Sequence, residues 1–124
     1  MKRDFVSRDH VIKIPRKKLP KNETRSFEGR VRGKIIQGLV YRKEDVFYVY
    51  QNLCKHLPIT LDIGDSNFFN HDNSSLQCHM HGALYEPESG LCTAGPCEGS
   101  RLNPIPYTMD EAHLIIQIPD SFGE

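Results

Sequence analysis

Cys54-Lys55-His56 and, after a spacer of 21 residues, Cys78-His79-Met80-His81-Gly82 decide how this chain is read. Through Cys54, His56, Cys78 and His81 they offer two thiols and two imidazoles as two short pincers. Both donor types bind zinc and iron well. A tetrahedral zinc site is chemically open, although zinc fingers usually place Cys with Cys in one pincer and His with His in the other. Here each pincer holds one of each. That order suits a centre of two unlike metal ions, with both cysteines on one and both histidines on the other.

Outward from the pincers, Gly, Pro, Asn and Asp recur at short intervals, and no internal repeat, low-complexity tract or long 3.6-residue period interrupts them. This punctuation predicts an all-β domain. Strands are expected at Val11–Ile14, Arg25–Glu28, Lys34–Arg42, Val46–Gln51, Leu76–Cys78, Leu84–Tyr85, Leu102–Tyr107 and His113–Ile118. Glu44-Asp45 reads as a hairpin turn into the β-branched and aromatic run Val46-Phe47-Tyr48-Val49-Tyr50. Met109-Asp110-Glu111-Ala112 reads as a second turn. Each pincer follows a strand-like run, so a rigid sheet can hold the loop while its tip stays open. Between them, the segment from Ser66 to Ser75 is polar apart from Phe68 and Phe69, and it reads as a hairpin-like excursion anchored by that Phe pair.

A chain of 124 residues suits one domain with its own small core. Hydrophobic residues make up 38%, and no run approaches the roughly 18 apolar residues of a membrane span. The N-terminus lacks the apolar block of a signal peptide. A soluble, cytoplasmic protein is expected, and in a reducing compartment four cysteines point to a metal before a disulfide framework. Net charge is zero, yet residues 1–34 hold 12 Lys/Arg against 4 Asp/Glu, and the remainder holds 4 against 12. The asymmetry serves either mutual neutralisation or docking. The basic stretch Arg16-Lys17-Lys18-Leu19-Pro20-Lys21 has no interleaved aromatics, so no nucleic-acid partner is expected.

The spacing Cys54-x-His56 and Cys78-x-x-His81-Gly82 resembles the signature of the Rieske [2Fe-2S] family. The likeness continues through Ala83-Leu84-Tyr85-Glu86-Pro87-Glu88-Ser89-Gly90 and to Gly95-Pro96, placed where the family has a proline-containing loop shielding its cluster. It covers Leu19 to Ile118, with a long spacer for the family. The resemblance implies an antiparallel β-sandwich with a small cluster-binding subdomain built from two loops. It divides the chain into an N-terminal extension or edge strand at 1–18 and a Rieske domain at 19–119, with cluster loops at about 53–98. It implies one [2Fe-2S] cluster, with Cys54 and Cys78 as thiolates on the inner iron and His56 and His81 as neutral imidazoles on the outer one. Gly82, Tyr85, Gly95 and Pro96 become the neighbours that tune it. With all four protein positions used, such a site suits one-electron transfer rather than catalysis.

High-potential respiratory members carry a Ser after His-Gly and a Tyr two positions later. Ala83 stands at the Ser position and Tyr85 at the Tyr position, so one hydroxyl donor is missing and a lower potential is implied. Their loop-bracing disulfide is absent too, with Thr60 and its neighbours in the first loop and Met80 in the second. The expected function is that of a ferredoxin passing electrons between a reductase and an oxygenase or other oxidoreductase, with no membrane partner. A redox-sensing module and a structural Cys2His2 zinc domain are the alternatives. Cys92 and Cys97, outside the ligand pattern, read as buried thiols in preference to a disulfide or to redox-sensitive neighbours of the cluster.

The remaining polar residues carry weaker signals. His79 is a lesser alternative to His81 as ligand, His71 a turn residue, and His10 and His113 exposed or satisfied strand residues. Asp62, Asp65 and Asp72 fit no cation loop and read as solvated acidic surface. Gly29, Gly33 and Gly38 serve turns and a strand kink, since no helix follows them. Glu86, Glu88 and Glu98 are candidates to border the cluster tip and to meet a basic partner.

Overall fold

The computed structural model of the chain describes residues 3–54, 59–62, 68–79 and 82–124. His56, His81, Met80 and Asp65 lie outside the described residues. The strands are β1 (Phe5–Val6), β2 (Val11–Pro15), β3 (Glu23–Val31), β4 (Lys34–Lys43), β5 (Val46–Gln51), β6 (Leu76–Gln77), β7 (Leu84–Tyr85), β8 (Cys92–Ala94), β9 (Tyr107–Met109) and β10 (His113–Gln117). Two short 3-10 turns, Arg16–Lys18 and Asp120–Gly123, are the helical segments among the described residues. The fold is all-β, as its punctuation predicts.

The strands form three sheets, ordered β1-β3-β4-β5, β2-β10-β9 and β6-β7-β8. Every described pairing is antiparallel except the two-residue contact of β1 with β3. β3 and β4 run antiparallel through nine register pairs, from Glu23↔Arg42 to Val31↔Lys34. Their turn places both Arg32 (φ +53°) and Gly33 (φ +80°) in the left-handed region, the geometry of a two-residue hairpin whose twist matches its strands. β4 turns into β5 through Glu44-Asp45 as expected, with Glu44 at φ +53°.

The apolar run of β4 explains how two cores share one sheet. Ile36 and Val40 face the first core with Ile12, Ile14, Phe27, Phe47, Val49, Leu114 and Ile116, which closes the first two sheets into a sandwich. Leu39 points the other way. With Tyr50 it joins Leu61, Phe68, Leu76, Tyr85, Leu102 and the cysteines Cys54, Cys78 and Cys92 in a second core. The period-2 alternation of a strand makes this division unavoidable once both faces are apolar. Phe68 is the anchor expected of the excursion, and Phe69 packs edge-on against Tyr41 at 5.3 Å.

Two expectations are corrected by the backbone. The segment predicted as a strand at Leu102–Tyr107 is strand only from Tyr107, because Pro104 and Pro106 supply no N–H to a ladder. It works instead as a strap between sheets: Leu102 N–H donates to Gly90 C=O, Gln51 N–H to Asn103 C=O, and Ile105 N–H to Val49 C=O. The strand at residues 25–28 extends to Glu23–Val31, with Phe27 over its partner Gly38. A Cβ on Gly38 would lie 2.1 Å from Phe27 Cζ. Gly38→Ala is therefore expected to cost about 1–3 kcal/mol through overpacking. A fall in the urea midpoint, partly restored by Phe27→Leu in the same chain, checks this; an undisturbed midpoint would contradict it.

Candidate metal centre

Each pincer hangs from the sandwich by backbone hydrogen bonds that close its ends. In the first, Cys54 N–H donates to Ile59 C=O at 2.7 Å. In the second, Gly82 N–H donates to Cys78 C=O at 2.7 Å and Cys78 N–H to Ala83 C=O at 2.8 Å. Gly82 sits at φ +76°, where glycine carries no Cβ penalty. One further bond joins the two loops, from His79 N–H to Leu61 C=O. Cys54 and Cys78 are 2% and 0% exposed and lie in the same buried cluster. Their expected imidazole companions, His56 and His81, lie outside the described residues. His79 Nε2 is buried with no hydrogen-bond partner among the described residues.

A buried polar network beneath the first loop ties it to the scaffold. Asn52 follows β5, and its side-chain oxygen accepts from Leu61 N–H while its amide donates to Asp62 Oδ1 at 3.0 Å. Asp62 Oδ2 accepts from the Arg3 guanidinium, which also donates to Gln37 on β4. Both members of this ion pair are shielded, Arg3 at 9% and Asp62 at 0% side-chain exposure. The expectation that Asp62 belongs to a solvated acidic surface is thus corrected: its charge is buried because an arginine 59 residues away supplies the compensating cation. Asp72 is exposed, as expected, with its carboxylate lowered in pKa by hydrogen bonds from Ser74.

The neighbours expected to tune the centre converge from the third sheet and the loop after β8. Tyr85 is fully buried, and its hydroxyl donates to Cys54 Sγ at 3.7 Å. The same hydroxyl lies 3.1 Å from Cys97 Sγ, and Cys97 Sγ lies 3.0 Å from Cys92 Sγ. Gly95, at φ +99°, rests on residue 83, since a Cβ there would stand 2.8 Å from Ala83 Cα. The Gly95-Pro96 loop is thereby pressed onto the base of the second pincer, with Pro96 exposed. Cys92 is a buried thiol and Cys97 a partly exposed one. The hydroxyl–thiol chain and the Arg3-Asp62-Asn52 network are the features that sequence reasoning missed. Of the first, the shared neighbourhood of Tyr85 and the Cys92–Cys97 pair in the extended motif is the only trace in the sequence; the second leaves none.

The turn between β7 and β8 is fixed by Tyr50, whose hydroxyl donates to Pro87 C=O at 2.8 Å. Burial, above all, pushes that phenol upward in pKa. On the same turn Glu88 pairs with Lys43 at 2.8 Å, which holds its carboxyl below the usual range. Glu86 and Glu98 are exposed.

Two buried sulfurs in one cluster, one of them receiving a hydroxyl hydrogen bond, are the donor chemistry that an iron–sulfur centre requires of its thiolate side. Comparison with known proteins agrees. The chain matches the Rieske [2Fe-2S] domain over residues 10–113 and belongs to that family, whose cofactor is one [2Fe-2S] cluster. It is similar in structure to the ferredoxin of carbazole 1,9a-dioxygenase from Nocardioides aromaticivorans IC177, at 21% identity and a TM-score of 0.65, covering 90% of this chain and 100% of that one. It is also similar to the terminal oxygenase of carbazole 1,9a-dioxygenase from Novosphingobium sp. KA1, at 16% identity and a TM-score of 0.66, covering 91% of this chain but 31% of that one. A complex of reduced oxygenase and oxidized ferredoxin in carbazole 1,9a-dioxygenase contains a further match, at 20% identity and a TM-score of 0.65 over 94% of this chain and 95% of that one. These likenesses establish the fold. No curated protein gives a significant match. No helix is long and apolar enough to cross a membrane among the described residues.

Removing the Arg3 guanidinium strips a buried carboxylate of its cation. Arg3→Ala is expected to destabilise the fold by about 3 kcal/mol, the low end of the cost of breaking a buried pair, because Asn52 still donates to Asp62. Chemical denaturation measures this. Combining Arg3→Ala with Asp62→Asn should return part of the loss, and a neutral Arg3→Ala would show that the pair does not hold the loop.

Proposed function

We propose that this Rieske-family chain is a one-electron carrier, passing electrons between a reductase and an oxygenase or other oxidoreductase, and that Cys54, His56, Cys78 and His81 hold its cluster. The observation that carries the reading is the burial of Cys54 and Cys78 together beneath loops closed by their own backbone, with Tyr85 directed at Cys54. A [2Fe-2S] cluster supplies a single-electron couple when bound. The chain's own residues do the rest. The two thiolates take the buried side, His56 and His81 take the outer side, and no protein position is left over for a substrate. The second core keeps water from the sulfurs, and the Tyr85 hydroxyl stabilises added negative charge at Cys54.

Partner choice rests on surface charge. Glu86 is exposed on the turn after β7 and Glu98 on the loop after β8, whereas Glu88 is compensated by Lys43. Both carboxylates are available to a basic partner. The matched complex joins an oxygenase to a ferredoxin, an arrangement consistent with a protein partner for this chain. A cytoplasmic setting fits reduced Cys92 and Cys97.

Protein purified without air is expected to be coloured, to contain iron and acid-labile sulfide in equal amounts, and to give a paramagnetic signal on one-electron reduction. Cys54→Ser should abolish all three. A colourless protein with stoichiometric zinc would overturn the reading. Transfer to a basic acceptor should slow as salt rises and lose that dependence in Glu86→Gln/Glu98→Gln; a salt-independent parent rate would remove both carboxylates from docking.

A further inference from the structure

The Cys92–Cys97 pair lies outside the ligand pattern, with Cys92 in the second core and Cys97 packed against it. Cys92 opens its loop on β8 and is 1% exposed, while Cys97, past the Gly95-Pro96 bend, is partly open to solvent. Their sulfurs are 3.0 Å apart, against about 2 Å in a disulfide, so they need approach by only about 1 Å. The loop is closed by Cys92 N–H to Ser100 C=O and Gly99 N–H to Cys92 C=O, and glycines at Gly95 and Gly99, with φ +99° and +93°, carry its bends. Burial, above all, together with the Cys97 contact, pushes the Cys92 thiol up to about 11, which leaves Cys97 as the sulfur that an oxidant meets first.

We propose that Cys92 and Cys97 are a dithiol–disulfide pair, oxidised by hydrogen peroxide and linked to the cluster through the Tyr85 hydroxyl. Cys97 sulfur attacks one peroxide oxygen and the O–O bond breaks, giving Cys97 sulfenic acid and one water. Cys92 sulfur then attacks Cys97 sulfur, the S–O bond breaks, and a second water leaves with the thiol proton. Two thiols lose two electrons and the peroxide gains them.

The proton inventory carries the consequence to Cys54. Cys92 donates to Ala94 C=O, and a ligating Cys54 thiolate only accepts. Tyr85 O–H therefore donates to Cys54 Sγ, and the Cys97 S–H is shared between the hydroxyl oxygen and Cys92 Sγ. Closing the disulfide removes that proton from the chain and weakens the bond that Tyr85 makes to Cys54. The cluster then becomes harder to reduce. This second step rests on the ligation proposed above; formation of the bond does not.

Holoprotein treated with hydrogen peroxide, at a dose that preserves its visible absorption, is digested at glutamate. The peptide Ser89–Glu98 contains Cys92 and Cys97 without Cys54 or Cys78. It should become two hydrogens lighter and refractory to alkylation, revert with dithiothreitol, and keep an alkylatable Cys92 in Cys97→Ser. Two alkylatable thiols after treatment, or Cys97 oxidised to sulfinic acid without the link, would overturn the pair. In the same samples the cluster equilibrium should shift toward the oxidised state by less than tenfold, below 59 mV, and not shift in Tyr85→Phe. An unchanged parent potential, or an equal shift in Tyr85→Phe, would overturn the link through Tyr85.

Discussion

Everything in this molecule depends on β4 being apolar on both faces. A strand that buries Ile36 and Val40 on one side and Leu39 on the other cannot sit at the surface of a simple sandwich. It must carry a second layer, and the pincers and the third sheet are that layer. Burial of alternate side chains on opposite sides is thus the constraint that places Cys54 and Cys78 in a packed interior rather than in an open loop.

Polar contacts then fix what apolar packing leaves loose. Loops that leave a sheet have few ladder bonds of their own, so their ends need other partners. Asn52 and Asp62 supply them to the first pincer from inside, and Arg3, just ahead of β1, neutralises the buried carboxylate. The second pincer is held by its own Gly82 and Ala83 bonds and by the loop that lies on Ala83. Tyr50 performs a comparable role for the turn after β7. The described parts of both pincers are thus held from three directions, which suits a centre that must change charge with little rearrangement.

The architecture was legible where local chemistry is decisive. Runs such as Val46-Phe47-Tyr48-Val49-Tyr50 and the turn signals around them specify strands without help from distant residues, and β5 matches its expected bounds. The family was legible because the Cys54-x-His56 and Cys78-x-x-His81-Gly82 pattern is local in the sequence and needs no contact between distant residues to be seen. Most of the misreadings come from contact between residues far apart in sequence. Asp62 looks like any surface acid until Arg3 is beside it. The strap at residues 102–106 carries buried Leu102 and Ile105 and reads as a strand, yet its prolines leave it to bond in isolated steps. The two-residue strand β1 is too short to carry a pattern, and only its pairing with Phe27 and Glu28 reveals it. Likewise the thiol pair and the Tyr85 hydroxyl are separate features of the sequence that only the closed loop brings together.

The central claim is that two histidines complete a centre whose thiolate side is buried with Tyr85. Pulsed electron paramagnetic resonance of the reduced protein, grown with nitrogen-15 histidine, tests it most directly. Two strongly coupled histidine nitrogens in the parent, with one lost in His81→Cys and both retained in His79→Gln, are the predicted result. A spectrum without histidine coupling, or one in which His79→Gln removes a nitrogen, would contradict the account.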